Sequence, residues 1–469
     1  MIMTVHTDAD RTATALDVLT RRIDRTRIAV EGPELDAVSA VWNGAVTHRP
    51  ALVVRCATAA DVRHAIRAAR ASGLPLSVRG GGHDWAGRAV RPGGLVIDLT
   101  RMRHVSVHDG VATVAGGATS SDVAEAADRH GLTAVTGTVG AVGMIGLTLG
   151  GGYGPLLGSR GLAADNLLAA EVVLADGRIV RAAQDGADPE LLWALRGGGG
   201  NFGVVTSAEV ALHPVAQVLA GSFTFPWDQA GQVLRGYGNL LDRAPDALGA
   251  MITLTPGPDG DPIIAVSPTW SGALRDGTAV LDGFARLGTP LTTIVKPMSP
   301  LAKLREFDGA FPDGARYEIR TRNVAALTDA TVSALLGAFA ARTAPGSFIN
   351  IHHFHGAATR TAVASGAFGL RRDHFMVELI ETGAPEESPL PSGWPRRAGA
   401  ALAPHALPGG YPNLLGPDDV DQADAAYGPN SARLLAVKAR LDPDGVFTAT
   451  PLPRGPQHPG PARKARHDR

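Results

Sequence analysis

The sequence has very little cysteine, few aromatics and almost no net charge, and each scarcity excludes something. A single cysteine, Cys56, in 469 residues rules out an intramolecular disulfide and any thiolate cluster for zinc or iron–sulfur. It lies in the apolar run Leu52-Val53-Val54-Arg55-Cys56, which reads as a buried, inert thiol. A net charge of −1 offers no electrostatic case for nucleic acid or an acidic membrane surface as partner. No run of about 18 apolar residues is present to span a bilayer. Residues 1–10 are polar and contain no apolar signal core, so the expectation is a cytoplasmic protein.

What remains is the composition of a folded protein, with 45% hydrophobic and 19% charged residues, long enough for more than one core. Residues 51–55 read as a strand. Thr58 and Asp61 form the T-x-x-D pattern of a capping box, the helix after it is apolar at Val62, Ala65, Ile66 and Ala69, and Gly73 stops it. A strand over 75–79 completes a βαβ-like unit. Asp109-Gly110 and Asp176-Gly177 are hairpin signals, and Thr119 with Asp122 opens another helix. Strands, hairpins and short helices through about Pro214 make an α+β domain. We expect a lead-in over 1–40, a first domain over 41–214, a second over 215–407 and a segment over 408–450 packing back on the first. The Pro-rich basic stretch 451–469 is expected to be disordered.

Much of the Gly content, 58 residues, falls in three clusters: Gly80-Gly81-Gly82-His83, Gly150-Gly151-Gly152-Tyr153-Gly154 and Gly197-Gly198-Gly199-Gly200-Asn201-Phe202-Gly203. Glycine lets backbone approach a ligand closely and aim N–H groups at an anion. Three such turns suggest a long ligand with a pyrophosphate; one alone would be an ordinary surface loop. No G-x-x-x-x-G-K-[ST] string is present. Gly198 to Gly203 fits G-x-G-x-x-G but runs from helix to strand, the reverse of the dinucleotide fingerprint. His83, closing a glycine turn after a strand, should stand at the rim of a cleft, where a neutral imidazole is a nucleophile. Chemistry alone would favour a hydrogen-bonding role for it.

The string Val78-Arg79-Gly80-Gly81-Gly82-His83-Asp84 resembles the flavin-attachment segment of berberine-bridge-enzyme-like oxidoreductases. Gly137-Thr138-Val139-Gly140-Ala141-Val142-Gly143, continuing to Gly154, is similar to that family's pyrophosphate region. Gly161 to Asn166, Leu192 to Val205, Tyr427-Gly428-Pro429-Asn430 and Leu441-Asp442-Pro443 continue the likeness in order. The resemblance implies a two-part PCMH-type FAD-binding domain beside a substrate domain whose antiparallel sheet is covered by helices. It implies FAD bonded through a ring nitrogen of His83. Many members add a cysteine link where this chain has Val139, so a single link is expected, as in the 6-hydroxy-D-nicotine oxidase type. Arg79, Gly80, Gly81, Gly82, Thr138, Gly140, Gly143, Gly146, Asn201, Val205, Tyr427 and Asn430 are implied on the cofactor side; for Asn201 a turn-capping role is equally open.

The implied chemistry is an oxidase of a small organic molecule, with secondary metabolism as one setting. A hydride leaves a C–H next to oxygen or nitrogen for the flavin, and O2 takes the electrons to give hydrogen peroxide. An O2-independent dehydrogenase and a non-redox cyclase or eliminase are the alternatives on the same scaffold. Tyr411, in Tyr411-Pro412-Asn413, matches a Y-x-N element and is the expected base, although a phenol needs a neighbour to lower its pKa. Strand alternation puts His353 and His355 on one face, as a second candidate base or substrate contact, with a plain structural role equally open. No third metal ligand is spaced with them, so no metal is expected. Tyr153, Glu378 and Asn413 are expected at the substrate. A monomer or homodimer is expected.

Overall fold

The computed structural model describes residues 7–186, 188–384 and 393–455. The tail expected to be disordered falls mostly outside them. Three sheets organise the chain. The first has the order Ile28–Ala29, Leu52–Arg55, Leu95–Asp98, Leu76–Arg79. The expected βαβ unit is thus opened by Leu95–Asp98, which inserts between the two strands and runs parallel to both. Helix Ala59–Ser72 crosses over as predicted, with the Thr58–Asp61 capping box and Gly73 in the left-handed region at φ 68°. Within the expected lead-in, Asp8–Thr20 forms a helix. It buries Ala15 and Leu19 against Ile66, Val54 and Ile97 in one core, where amphipathic packing stabilises it far more than propensity does.

The second sheet is antiparallel and six-stranded, running Val105–His108, Val111–Ala115, Val204–His213, Leu167–Val173, Ile179–Ala183, with Thr133–Ala134 also on Val204–His213. Asp109 and Gly110 turn the first hairpin at φ 47° and 75°, as a tight two-residue turn requires. Helix Ser431–Leu441 returns to this lobe and buries Leu434, Val437 and Leu441 in its core.

The third sheet is antiparallel, with seven strands in the order Thr292–Met298, Val218–Pro226, Pro262–Trp270, Leu248–Pro256, Phe348–Phe354, His374–Gly383, Arg316–Val324. Strand periodicity divides its residues between two faces. Ile252, Leu254, Ile349, Ile351, Val377 and Leu379 pack with helices Ala230–Leu241, Leu274–Ala285, Asp329–Ala340 and Trp394–Leu402. Their neighbours Met251, Thr253, Asn350, His352, Glu378 and Ile380 line a cavity on the opposite face. Among the described residues no helix is long and apolar enough to cross a membrane.

Candidate active site

The cavity between the two lobes and the third sheet measures about 910 Å³, toward the upper end of the roughly 300–1,000 Å³ of small-molecule sites. One end is walled by glycine turns. The turn after strand Leu76–Arg79 meets the turn at 137–143 so closely that a Cβ on Gly81 would lie 2.3 Å from Gly143 N. Gly80, Gly81, Gly82, His83, Thr138, Gly143, Gly146 and Val205 all line the cavity here. Among the described residues, the N–H groups of Gly81, Gly82, His83, Thr138 and Val139 find no protein acceptor. Clustered free backbone donors of this kind suit an anion, and the long cavity beside them suits the rest of FAD.

His83 sits in this wall with Nδ1 3.1 Å from Gly81 O. Burial holds its pKa below the ordinary imidazole value, against the opposing pull of the Gly81 carbonyl. A neutral ring is the form that can act as a nucleophile. Cys56, by contrast, is fully buried in the first core, and burial pushes its thiol far up.

At the other end a buried carboxylate collects donors. Glu378 Oε1 accepts from the Tyr153 hydroxyl. Its Oε2 lies 3.2 Å from Asn350 Nδ2 and 3.2 Å from His352 Nε2. Burial opposes ionisation, but His352, Tyr153 and Asn350 outweigh it and hold the carboxyl below its usual range. Tyr153 packs edge-on against His352 at 4.8 Å and against Tyr411 at 5.1 Å. Tyr411 lines the cavity, and its hydroxyl accepts from Gly152 N–H at 2.5 Å. Burial nevertheless raises its pKa far above that of a free phenol and outweighs that N–H, so Tyr411 stays protonated. Asn413 also lines the cavity and donates to Leu147 O at 3.1 Å.

Several expected site residues lie elsewhere. His353 and His355 do share a face, but it is the helix-covered one. His353 stacks on His355 at 4.4 Å and on Phe375 at 4.8 Å, and His355 Nε2 is 2.7 Å from Leu248 O. Neither touches the cavity, because Ile349 and Ile351 anchor that parity of the strand in the core. Arg79 turns away and donates to Ala37 O at 3.0 Å and Ala40 O at 3.2 Å, at the end of helix Pro33–Ser39. Gly140 N–H is taken by Asp308 Oδ1 at 2.8 Å. Asn201 is a turn cap: its Oδ1 accepts from Ala449 N–H at 2.8 Å and its Nδ2 donates to Gly198 O at 2.9 Å. Tyr427 donates to Pro451 O at 3.0 Å, and Asn430 to Val363 O at 2.9 Å and Gly366 O at 3.0 Å. These last two tie the C-terminal segment in place rather than meeting a ligand.

Sequence reading missed His352, Asn350, Trp42 and Tyr317, all in the cavity wall. The first two were within reach. In Phe348-Ile349-Asn350-Ile351-His352 the isoleucines mark the core face, which hands Asn350 and His352 to the other. Trp42 and Tyr317 carry no such signal, because they meet across 275 residues of chain.

A cavity that pairs glycine turns carrying free backbone donors with a buried acid–base cluster fits an FAD-dependent oxidoreductase. The comparisons agree. The descriptions "FAD binding domain" and "Berberine and berberine like" match residues 50–183 and 410–451. The FAD-linked oxidoreductase aurO of Gibberella zeae is 31% identical over 446 residues, 92% of this chain and 86% of that one. The 6-hydroxy-D-nicotine oxidase structure from Arthrobacter nicotinovorans superposes with a TM-score of 0.81 at 28% identity, covering 90% of this chain and 96% of that one. The glucooligosaccharide oxidase of Acremonium strictum, described with a 6-S-cysteinyl, 8α-N1-histidyl FAD, superposes with a TM-score of 0.83 at 22% identity, covering 94% and 99%. The chain belongs to the berberine-bridge-enzyme-like FAD-linked oxidoreductases.

Proposed function

We propose that the protein oxidises a small, largely apolar alcohol or amine, with FAD held by one covalent bond to His83 and O2 as electron acceptor. FAD, when bound, accepts a hydride from the substrate C–H and passes the electrons on, giving hydrogen peroxide. The chain's part is orientation and proton transfer. Glu378, ionised and anchored by His352 and Asn350, takes the proton of the substrate O–H or N–H. The Tyr153 hydroxyl on its other oxygen either relays that proton or yields its place to the substrate. Tyr411, kept protonated, forms a wall and a hydrogen-bonding partner.

The substrate end is walled by Met251, Ala265, Ile319, Phe348 and Ile380, with the threonines Thr253, Thr255 and Thr382 between them. Such a surface suits a ring-containing alcohol or amine better than a sugar, whose many hydroxyls would be desolvated without partners. Val139 stands where a second, cysteinyl link would form, and Cys56 is buried elsewhere, which supports a single bond.

One cavity joins a nucleophilic imidazole among free backbone donors to a buried carboxylate among proton carriers, and that juxtaposition carries the proposal. Anaerobic mixing with a panel of cyclic amines and alcohols tests it. A substrate should bleach the oxidised flavin absorbance, and admitting air should restore the colour with release of hydrogen peroxide. Bleaching that air does not reverse would make the enzyme a dehydrogenase. Protein that purifies colourless with ample riboflavin would overturn the flavin reading altogether.

A further inference from the structure

Among the described residues His83 has a single polar contact, from Nδ1 to Gly81 O, and one hydrogen bond alone leaves an imidazole free to tilt about it. A stack of rings restrains the tilt. Trp42 lies over the imidazole with centroids 5.6 Å apart and planes at 12°. Its indole stacks in turn on Tyr317 at 4.1 Å and 13°. Tyr317 is 3% exposed and sits on strand Arg316–Val324 of the substrate sheet, so the stack is backed by a rigid element.

The backbone around Trp42 is tied to the same places. Its N–H donates to Gly82 O at 3.1 Å, in the His83 turn, and its carbonyl accepts from Gly314 N–H at 2.9 Å. The indole N–H donates to Phe311 O at 3.1 Å. Asn43 continues the clamp, donating to Trp85 O at 2.6 Å and Tyr317 O at 2.8 Å and accepting from Tyr317 N–H at 2.9 Å. Two consecutive residues thus join the flavin-attachment turn to the substrate sheet, with the indole against the ring that would form the bond.

We propose that Trp42, backed by Tyr317, is a positioning residue for flavin attachment, holding the His83 imidazole in the plane from which a ring nitrogen reaches the flavin methyl carbon. The inference rests on the reading that His83 carries the FAD. Attachment breaks one methyl C–H bond and the N–H of the imidazole and forms one C–N bond. Two protons and two electrons leave, and O2, the oxidant, takes up both as hydrogen peroxide. Because the two reacting atoms must meet in one orientation, a freely tilting ring slows the step without weakening FAD binding. A tryptophan that merely filled space would lower thermal stability and leave the attachment rate of folded protein unchanged.

The test follows attachment directly. Protein made under riboflavin limitation is mixed with FAD in air, and acid-insoluble flavin is measured over time beside total bound flavin. Trp42→Phe, which keeps a stacking ring, should attach FAD within about twofold of the wild-type rate, whereas Trp42→Ala should bind FAD and attach it about tenfold more slowly or worse. An alanine variant as fast as wild type, or a phenylalanine variant slowed as much as the alanine one, overturns the proposal. If Trp42→Ala does not fold, Tyr317→Leu decides: slowed attachment supports the stack, and the wild-type rate overturns it. Wild-type protein that releases all its flavin in acid overturns the covalent reading itself, a result that no Trp42 variant can produce.

Discussion

The flavin end of the cavity is made of backbone, and the substrate end of side chains standing on a sheet. At the first, Gly81 and Gly143 approach so closely that neither tolerates a Cβ, and backbone N–H groups without an acceptor among the described residues belong to residues lining the cavity. At the second, Glu378, His352 and Asn350 project from two adjacent strands, His374–Gly383 and Phe348–Phe354, into a mostly apolar space. Backbone donors recognise what every FAD carries and need only glycines at the right turns. Side chains on a sheet can be exchanged without disturbing the ladder beneath them. The difference teaches that one end is built for a constant ligand and the other for a variable one.

Four substitutions and one control sharpen that contrast, the four in falling order of effect. His83→Ala should abolish acid-stable flavin completely, while the backbone donors still hold FAD non-covalently; flavin fluorescence in the acid precipitate and in the supernatant reads both. Glu378→Gln should leave flavin content unchanged and cut kcat by about 10²–10⁴-fold, the usual weight of a general base. Tyr411→Phe serves as its control, because a phenol that stays protonated should contribute far less. If Tyr411→Phe proved the more damaging, the proton acceptor would be misassigned.

Gly81→Ala should act through backbone rather than chemistry. The new methyl meets Gly143 N at 2.3 Å, main chain that cannot swing aside, so a loss of about 1–3 kcal/mol and a lower FAD content are expected. Thermal melts and the flavin-to-protein absorbance ratio measure them.

The smallest effect belongs to the helix-covered face. Burial pushes His353 there down to about 2 and, on the opposite face of the sheet beside Phe354, His374 down to about 4. With the folded-state values depressed, the unfolded chain takes up protons first. Stability should therefore begin to fall as pH drops below the free histidine value of about 6.5, and keep falling toward the folded-state values. The depressed carboxyl of Glu378 adds to the loss in the same direction at lower pH. His353→Phe, which also removes a buried Nδ1 without a partner, should flatten the decline and gain about 1 kcal/mol at pH 5. A melting curve with the same pH slope as wild type would exclude that role for His353.

How far this could be read from the chain depends on the kind of signal. The capping boxes at Thr58 and Thr119, the glycine stop at Gly73 and the hairpin at Asp109-Gly110 are local and appear where expected. Glycine turns are local too, so Gly80, Gly81, Gly82, Thr138, Gly143 and His83 fall on the cavity. Arg79, Asn201, Tyr427 and Asn430 lie in the strings that carry the family resemblance but serve the scaffold, because a string says which turn forms and not which way each side chain leaves it. The histidines show the boundary most clearly. Their alternation is evident, yet which parity faces the ligand depends on where four helices lie against the sheet.

By itself the chain determined the turns, caps and strand periods, the close backbone approach that only glycine allows, and a lone cysteine at the end of an apolar run. Those follow from interactions between residues a few positions apart. The tertiary structure alone decided that His352 rather than His353 meets Glu378, that Tyr411 is too deeply buried to lose its proton, and that Trp42 lies between His83 and Tyr317. Each of these depends on desolvation or contact between segments far apart in sequence, and such energies exist only once the segments have been brought together.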